Sequence, residues 1–238
     1  MADLIKLRKA NAERWTVAKS TRNVASIARE LVAPTAKARY QDVSAKTGVP
    51  WYFIAVAHER ESSQNWKGSL AQGDPWDEVS VHVPAGRGPF TSWEAAAVDA
   101  LVNCAPFAAR NKDWSPGGLL TMLEEYNGLG YASRGVPSPY VWAGTDQYHS
   151  GKYVRDGVYD PNVVDRQAGC AGLLLAMMAL DKTIDMDKPV VAHAPVLVPS
   201  APVPQQPSIT SPSPGSIGAA MASIVKVVLA FFKKDKQS

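Results

Sequence analysis

The most chemically suggestive stretch of the chain is a run of ionisable residues, His58, Glu59, Arg60 and Glu61, directly after the apolar segment 53–57. Ionisable side chains seldom follow core-like residues unless they are paired or have a chemical role. If the stretch is helical, Glu61 lies near the C-terminal end, where partial burial and the helix dipole both raise the pKa of a carboxyl. A carboxyl with a raised pKa is suited to general acid catalysis near neutral pH.

The same residues also have a purely structural interpretation, in which Glu59 and Glu61 pair with Arg60 at the solvated end of a helix. Arg60 and His58 would oppose a rise in the pKa of Glu61, so spacing alone leaves both interpretations open. Glu59 and Glu61 are two residues apart, and on a helix their directions differ by about 200°. Only one of the two can therefore occupy a given catalytic position.

A helix has to position these residues, and the sequence predicts one from 51 to about 62, with Pro50 at its first position. The segment is apolar nearly all round over its first two turns, which is typical of a central, buried helix. The alternation of Val79, Val81 and Val83 between Gly, Pro and Asp residues predicts a small β-hairpin after this helix. Helical spacing of apolar residues predicts the other helices, at 2–33 (one or two helices), 36–46, 92–103, 118–126 and 161–180. The predicted fold class is mainly α (α+β).

Three short motifs resemble those of one superfamily. The Glu61-Ser62 pair is similar to the Glu-Ser signature of lytic transglycosylases, and "EEYNGLGY" around Tyr126 resembles their Tyr-Asn-Ala-Gly motif. "GSLAQ" is similar to their Gly-Leu-Met-Gln, although it lies closer to the Glu than usual. With "HERES", "SLAQGDP" and "VSVHVPAGRGP", the chain resembles phage and prophage endolysins of the lysozyme-like superfamily over roughly residues 45–180. Goose-type lysozymes and soluble lytic transglycosylases belong to this superfamily.

The resemblance implies a lysozyme-like domain, in which the catalytic Glu ends a central helix just ahead of a small β-hairpin. It also implies an activity, cleavage of the β-1,4 bond between N-acetylmuramic acid and N-acetylglucosamine in peptidoglycan. Glu61 would protonate the glycosidic oxygen while the sugar leaves with oxocarbenium character. Glu61 is favoured over Glu59 because a serine follows it, as in the family.

A hydrolase of this kind may need a second carboxylate to position water, held about 6.5–9.5 Å from the acid in inverting enzymes. Asp74 in "QGDPW" is the first candidate, and Asp77 and Glu78 are neighbouring competitors. Asp74 also fits a plain turn residue before Pro75. A lytic transglycosylase needs no second carboxylate and forms an anhydro product, and the sequence leaves these outcomes open.

Four residues are predicted to bind substrate. The resemblance places Tyr126 against the reacting sugar, Asn127 on an acetamido group and Gln72 in the Gly-Leu-Met-Gln-like motif. Trp76 offers an apolar ring face for sugar stacking. The structural alternative for Tyr126 and Asn127 is a simple helix end before Gly128.

The composition excludes several classes of function. The net charge of +3 comes without a basic stripe or a nucleic-acid motif, so no nucleic-acid partner is predicted. The Gly-x-Gly pieces lack the context of phosphate loops, and no His or Cys spacing suggests a metal, so no cofactor or metal is expected. The pairing of Cys104 and Cys170 stays open.

Two rival functions remain: a non-catalytic glycan-binding or phage structural module, and a glycosidase acting on chitin-like glycans.

The C-terminal quarter of the chain differs in composition. Residues 1–188 are predicted to form the catalytic domain with N-terminal helices, and the Pro/Ser-rich segment 189–215 a disordered linker. Residues 216–238 are apolar with a basic end, which predicts a helix that associates with a membrane, either spanning it or lying on it. The N-terminus lacks the apolar region of a cleavable signal peptide, so the expectation is synthesis in the cytoplasm and action on the cell wall.

Overall fold

The computed structural model of the protein describes residues 2–155 and 157–187. Within these ranges the chain is mainly helical, with nine α-helices and one two-stranded antiparallel sheet, which confirms the predicted fold class. None of the helices in this part of the chain is long and apolar enough to cross a membrane. The predicted linker (189–215) and C-terminal helix (216–238) lie outside the described residues.

Three helices precede the central one, as the sequence predicts: α1 (Leu4–Val17), α2 (Ala25–Leu31) and α3 (Pro34–Thr47). Asp3 caps α1, because its carboxylate accepts hydrogen bonds from two backbone N–H groups of the first turn. Gly48 ends α3 in the left-handed conformation, with φ of 72°. This glycine lets the chain turn directly into the central helix.

The other elements follow in chain order: α4 (Trp51–Ser62), α5 (Trp93–Asn103), a 3₁₀ turn (Ala108–Arg110), α6 (Pro116–Asn127), α7 (Gly130–Arg134), α8 (Pro139–Trp142), β1 (Lys152–Arg155), β2 (Val158–Asp160) and α9 (Cys170–Leu180). Ser92 caps α5, since its hydroxyl accepts from the Ala95 N–H. Pro50 precedes the first turn of α4 instead of occupying it.

Helix α4 is the centre of the fold. All of its residues from Trp51 to Glu59 are buried, and it contacts α3, α6 and α9. Trp93, Trp114 and Trp142 are also buried. Burial of apolar surface on every side leaves the last turn of α4 as the place where the helix meets polar surroundings.

The predicted hairpin at Val79, Val81 and Val83 is wrong, because these residues lie in an irregular loop and their side chains are 50–78% exposed. The backbone N–H of Val81 donates to the carboxylate of Asp74 instead of to a neighbouring strand. The sheet lies later in the chain, where β1 and β2 pair in antiparallel register. The sequence analysis did not predict either strand.

The helix predicted over 161–180 is half right, because α9 begins only at Cys170. The preceding residues are not helical, and Gly169 lies against the segment after α8. A Cβ atom at Gly169 would stand 2.6 Å from the carbonyl oxygen of Val141, so the close approach requires glycine. Cys170 and Cys104 are both buried and free, with no disulfide between them.

Candidate active site

Glu61 lies in the last turn of α4, partly exposed, immediately before the chain leaves the helix at Ser63 in the left-handed conformation. Its carboxyl oxygen Oε1 accepts a hydrogen bond of 2.8 Å from the Tyr140 hydroxyl. Burial raises the pKa of Glu61 to about 7, although the bond from Tyr140 and the charge of Arg60 both act to lower it. A large fraction of Glu61 side chains is therefore protonated at neutral pH.

Two tyrosines from different helices stand beside this carboxyl. Tyr140 belongs to α8 and Tyr126 to the last turn of α6. Burial raises the pKa of both phenols well above the ordinary value, and the negative charge of Glu61 adds to each shift. The Tyr126 hydroxyl donates to the Leu70 carbonyl (3.1 Å), and its ring packs edge-on against Phe53. Both phenols are therefore neutral near pH 7 and place no charge beside Glu61.

The loop 68–75 packs against the C-terminal end of α4. A Cβ atom at Gly73 would lie 3.5 Å from the carbonyl oxygen of Glu61, and one at Gly68 would lie 3.3 Å from the Cβ of Ser62. The loop is closed by a backbone hydrogen bond of 2.7 Å from the Ser69 N–H to the Asp74 carbonyl. The motif around Gln72 is thus brought next to Glu61.

Gln72 is buried inside this loop. Its Oε1 accepts from the Ser69 hydroxyl (2.7 Å), and its Nε2 donates to the Pro84 carbonyl (3.1 Å). The side-chain amide therefore joins the loop to the segment that follows it. The predicted contact of Gln72 with substrate stays a prediction.

Asp74 has its carboxylate engaged by the following loop. Oδ2 accepts from the backbone N–H groups of Val81 and His82, both at 2.9 Å, and Oδ1 contacts His82 Nδ1. Burial acts to raise the pKa of Asp74, but the hydrogen bonds from His82 and Val81 outweigh it and lower the pKa. Asp74 is therefore ionised, and its carboxylate holds the backbone of the following loop in place. The predicted catalytic role of Asp74 stays a prediction.

Replacing Asp74 with alanine is expected to lower the free energy of unfolding by about 1–3 kcal/mol, because two backbone donors lose a charged acceptor. Urea unfolding followed by circular dichroism measures this change. The D77A protein is the matched control, since Asp77 is exposed and surface substitutions usually stay within about 0.5 kcal/mol. Equal stability of D74A and wild type would show that the loop does not depend on this carboxylate.

No protein-family model matches the chain, and no match was found among curated proteins or solved structures. The function therefore has to be inferred from the residues around Glu61. The resemblance to lytic transglycosylases, based on Glu61-Ser62 and Tyr126-Asn127, stays a prediction from the sequence.

Asn127 is the last residue of α6 and is partly exposed. Gly128 caps the helix with φ of 91°, so the end predicted at this glycine is confirmed. The Asn127 amide makes no hydrogen bond with any residue of 2–155 or 157–187. Asn127 directly follows Tyr126, whose pKa is raised by burial and by the nearby charge of Glu61. The side-chain amide of Asn127 is therefore available to bind a ligand.

Trp76 is partly buried and packs against the core. Its indole N–H donates to the Trp66 carbonyl at 2.8 Å. Trp66 in turn stacks on Tyr40 and lies under the guanidinium of Arg39, 3.9 Å from the ring centroid. Both indoles are held rigidly, and the predicted stacking of Trp76 on a sugar stays a prediction.

The other ionisable residues of the opening run have structural partners. His58 is fully buried between Tyr40 Oη and the Asn65 carbonyl, and burial lowers its pKa to about 4. Glu59 accepts a hydrogen bond of 2.9 Å from the Gln64 side chain. Glu59 binds Gln64, whereas Glu61 binds Tyr140. These different partners are consistent with the two carboxyls pointing in different directions from the helix, as predicted.

Glu124 is a second carboxyl with an unusual pKa, which burial raises to about 7. It is 1% exposed, on the face of α6 that packs against α1. A substrate has no access to so deeply buried a group. Of the two carboxyls, Glu61 therefore fits a general acid better.

Two functional candidates were missed by the sequence analysis, Tyr140 and Asp165. Tyr140 binds Glu61 across 79 residues, and Asp165 binds Arg60 across 105. Neither residue stands in a motif that indicates contact with α4. In the described part of the chain, no three His, Cys, Asp or Glu side chains are grouped closely enough to hold a metal ion.

Proposed function

We propose that the protein is a peptidoglycan-degrading endolysin that cleaves the β-1,4 bond between N-acetylmuramic acid and N-acetylglucosamine. The observation that carries the proposal is the carboxyl of Glu61, a partly exposed residue at the end of the central helix. Burial raises the pKa of this carboxyl to about 7. A general acid is most effective when its pKa lies near the working pH. The order of the Glu-Ser, Gln and Tyr-Asn motifs along the chain supports the same choice of substrate.

In the proposed reaction, Glu61 gives its proton to the glycosidic oxygen as the bond from that oxygen to the anomeric carbon breaks. The leaving sugar departs as an alcohol, and positive charge develops on the sugar that remains. Glu61 is then a carboxylate, held by the hydrogen bond from Tyr140. In that state it can accept a proton from the nucleophile that attacks the anomeric carbon.

The state of Asp74 favours the transglycosylase outcome over hydrolysis. A base that activates water needs a free lone pair, and the carboxylate of Asp74 already accepts from Val81, His82 and the His82 ring. In a transglycosylase a hydroxyl of the muramic acid attacks instead, and its proton passes to Glu61. Hydrolysis with a second carboxylate would use the remaining lone pair of Asp74 or the exposed Asp77 or Glu78.

Mass spectrometry of the products released from purified peptidoglycan tests this proposal. We expect glycan fragments with anhydro-muramic ends, because Glu61 acts without a free second carboxylate. Reducing muramic ends would establish hydrolysis and contradict the transglycosylase outcome. Intact glycan would contradict the enzyme proposal and favour a non-catalytic glycan-binding module. Chitin oligomers serve as the control substrate, and their cleavage at an equal rate would favour a chitin-directed glycosidase.

A further inference from the structure

A permanent positive charge lies beside the proposed acid. Arg60 precedes Glu61 in α4, and its side chain is only 6% exposed. Its guanidinium lies over the ring of Tyr140, 4.7 Å from the centroid, and the hydroxyl of that ring donates to Glu61. A nearby positive charge favours the ionised form of a carboxyl. Without a compensating anion, Arg60 would therefore lower the pKa of Glu61 and reduce the protonated fraction that a general acid needs.

Asp165 compensates this charge. Its carboxylate, 3% exposed, accepts from Arg60 Nη2 at 3.3 Å and from Lys152 Nζ at 3.0 Å. Burial acts to raise the pKa of Asp165, but the charges of Arg60 and Lys152 outweigh it and lower the pKa. Asp165 is therefore an anion that neutralises the buried positive charge of Arg60.

The segment around Asp165 is firmly attached to the end of α4. Arg60 Nη1 donates to the Ala168 carbonyl at 3.1 Å, and the Gln167 amide donates to the carbonyls of Glu59 and Arg60. These carbonyls belong to the last turn of α4, where backbone acceptors need partners from outside the helix. The terminal nitrogens of Arg60 are thus bonded to residues 165–168 and form no ion pair with Glu61.

We propose that Asp165 is a positioning residue for the proton on Glu61: it holds Arg60 in a closed ion pair, so that Arg60 neither binds nor deprotonates the acid. The proposal rests on the proposed role of Glu61 as general acid. Asp165 lies 105 positions after Arg60 in the chain. Its role in the proposal is to bind the buried guanidinium of Arg60, so that the guanidinium does not bind Glu61. The ion pair of Arg60 with Asp165 has to remain closed while Glu61 is protonated.

One further charged group lies close by: Arg22, whose guanidinium donates to the backbone carbonyls of Asp165 and Gln167. The other titratable groups that face the two carboxyls are neutral at neutral pH. Facing Glu61 are Tyr126 of α6, Tyr140 of α8 and Cys170 of α9, all with pKa values raised by burial. Facing Asp165 are Tyr131 and Tyr148, whose pKa values burial also raises. The loop 68–75 meets Glu61 through the backbone at Gly73. Of the nearby charges, that of Arg60 acts on the pKa of Glu61 directly, whereas Asp165 and Lys152 are linked to Glu61 through the ion pair of Asp165 with Arg60.

A double-mutant cycle with R60Q, D165N and the double variant tests the proposal. The direct readout is the titration of the Glu61 carboxyl by carbon-13 NMR, with the E61Q protein identifying its signal. We expect D165N to lower the pKa of Glu61 by about one unit, because Arg60 loses its partner, and R60Q to raise it. The double variant should return close to wild type, because the pair is removed as a unit.

The pH profile of turnover should follow the same order. A general acid is active when protonated, so the midpoint of the alkaline limb should move down in D165N and up in R60Q. If D165N is unstable, K152Q replaces it: Lys152 is 29% exposed, and its removal should raise the pKa of Glu61. Unchanged titration of Glu61 in D165N, or in K152Q where D165N is unstable, would overturn the proposal even if R60Q shifts it. If the titration shifts as expected but wild type cleaves no peptidoglycan, the coupling stands and the proposed function fails.

Discussion

Replacing Glu61 with glutamine is expected to reduce the turnover of peptidoglycan by about 10²–10⁴-fold, the usual contribution of a positioned general acid. Glutamine has nearly the same shape, and its amide oxygen can still accept the hydrogen bond from Tyr140. It has no proton to give to the glycosidic oxygen at neutral pH. The rate of release of soluble muropeptides from purified peptidoglycan measures the loss.

The E124Q protein is the matched control for this experiment. Glu124 shares the raised pKa of Glu61 but is buried on another face of the fold. Its replacement should leave turnover within a few-fold of wild type, while both variants keep their glycan binding and cooperative unfolding. An equal loss in E61Q and E124Q would indicate damage to the fold. Full activity of E61Q would exclude Glu61 as the acid.

The helices were predictable because their determinants are local. Apolar residues on every side of the segment 51–59 indicate a buried helix, and α4 has the predicted bounds. Gly48 and Ser92 mark helix ends by their own chemistry, and both prove to be caps. The position of Glu61 at the end of α4 followed from the same local reasoning.

The β structure was not predictable from side-chain alternation. The valines at 79, 81 and 83 alternate without a buried face, since the Asp74 carboxylate binds the backbone there. The strands of the real hairpin are only four and three residues long, and the register shifts between Tyr153 and Arg155, so no regular alternation builds up. Its best sequence signal is Asp-Gly at 156–157, a pair that favours tight hairpin turns.

The environment of Glu61 depends on contacts that no local pattern encodes. The hydrogen bond from Tyr140 and the compensation of Arg60 by Asp165 join residues from distant parts of the chain. Spacing within "HERES" could not decide between an acid and an ion-paired helix end for this reason. In the structure Arg60 has another partner, and Glu61 keeps a raised pKa.

A large expected effect of pH on stability comes from His58. Burial lowers its pKa from 6.5 to about 4, because the charged ring would lie among Tyr40, Trp66 and Trp93. The Asn65 carbonyl can only accept, so Nε2 carries the proton and Nδ1 accepts from Tyr40. The folded protein therefore stabilises the neutral ring. This stabilisation is complete above the unfolded pKa and is lost as the pH falls from about 6.5 to 4.

The expected loss is about 3 kcal/mol of the free energy of unfolding, since each pKa unit corresponds to about 1.4 kcal/mol. Glu61 and Glu124 act in the opposite sense, because their raised pKa values favour folding as they become protonated. The contribution of His58 is thus the difference between wild type and H58Q, measured by urea unfolding at pH 7 and pH 4.5. Glutamine can keep both hydrogen bonds but takes up no proton, so the gap should narrow by about 2–3 kcal/mol at the lower pH. The control is the H149Q protein, changed at an exposed histidine, whose free energy of unfolding should follow that of wild type at both pH values. If the difference in free energy of unfolding between wild type and H58Q does not change with pH, the assignment of a neutral, buried ring is contradicted.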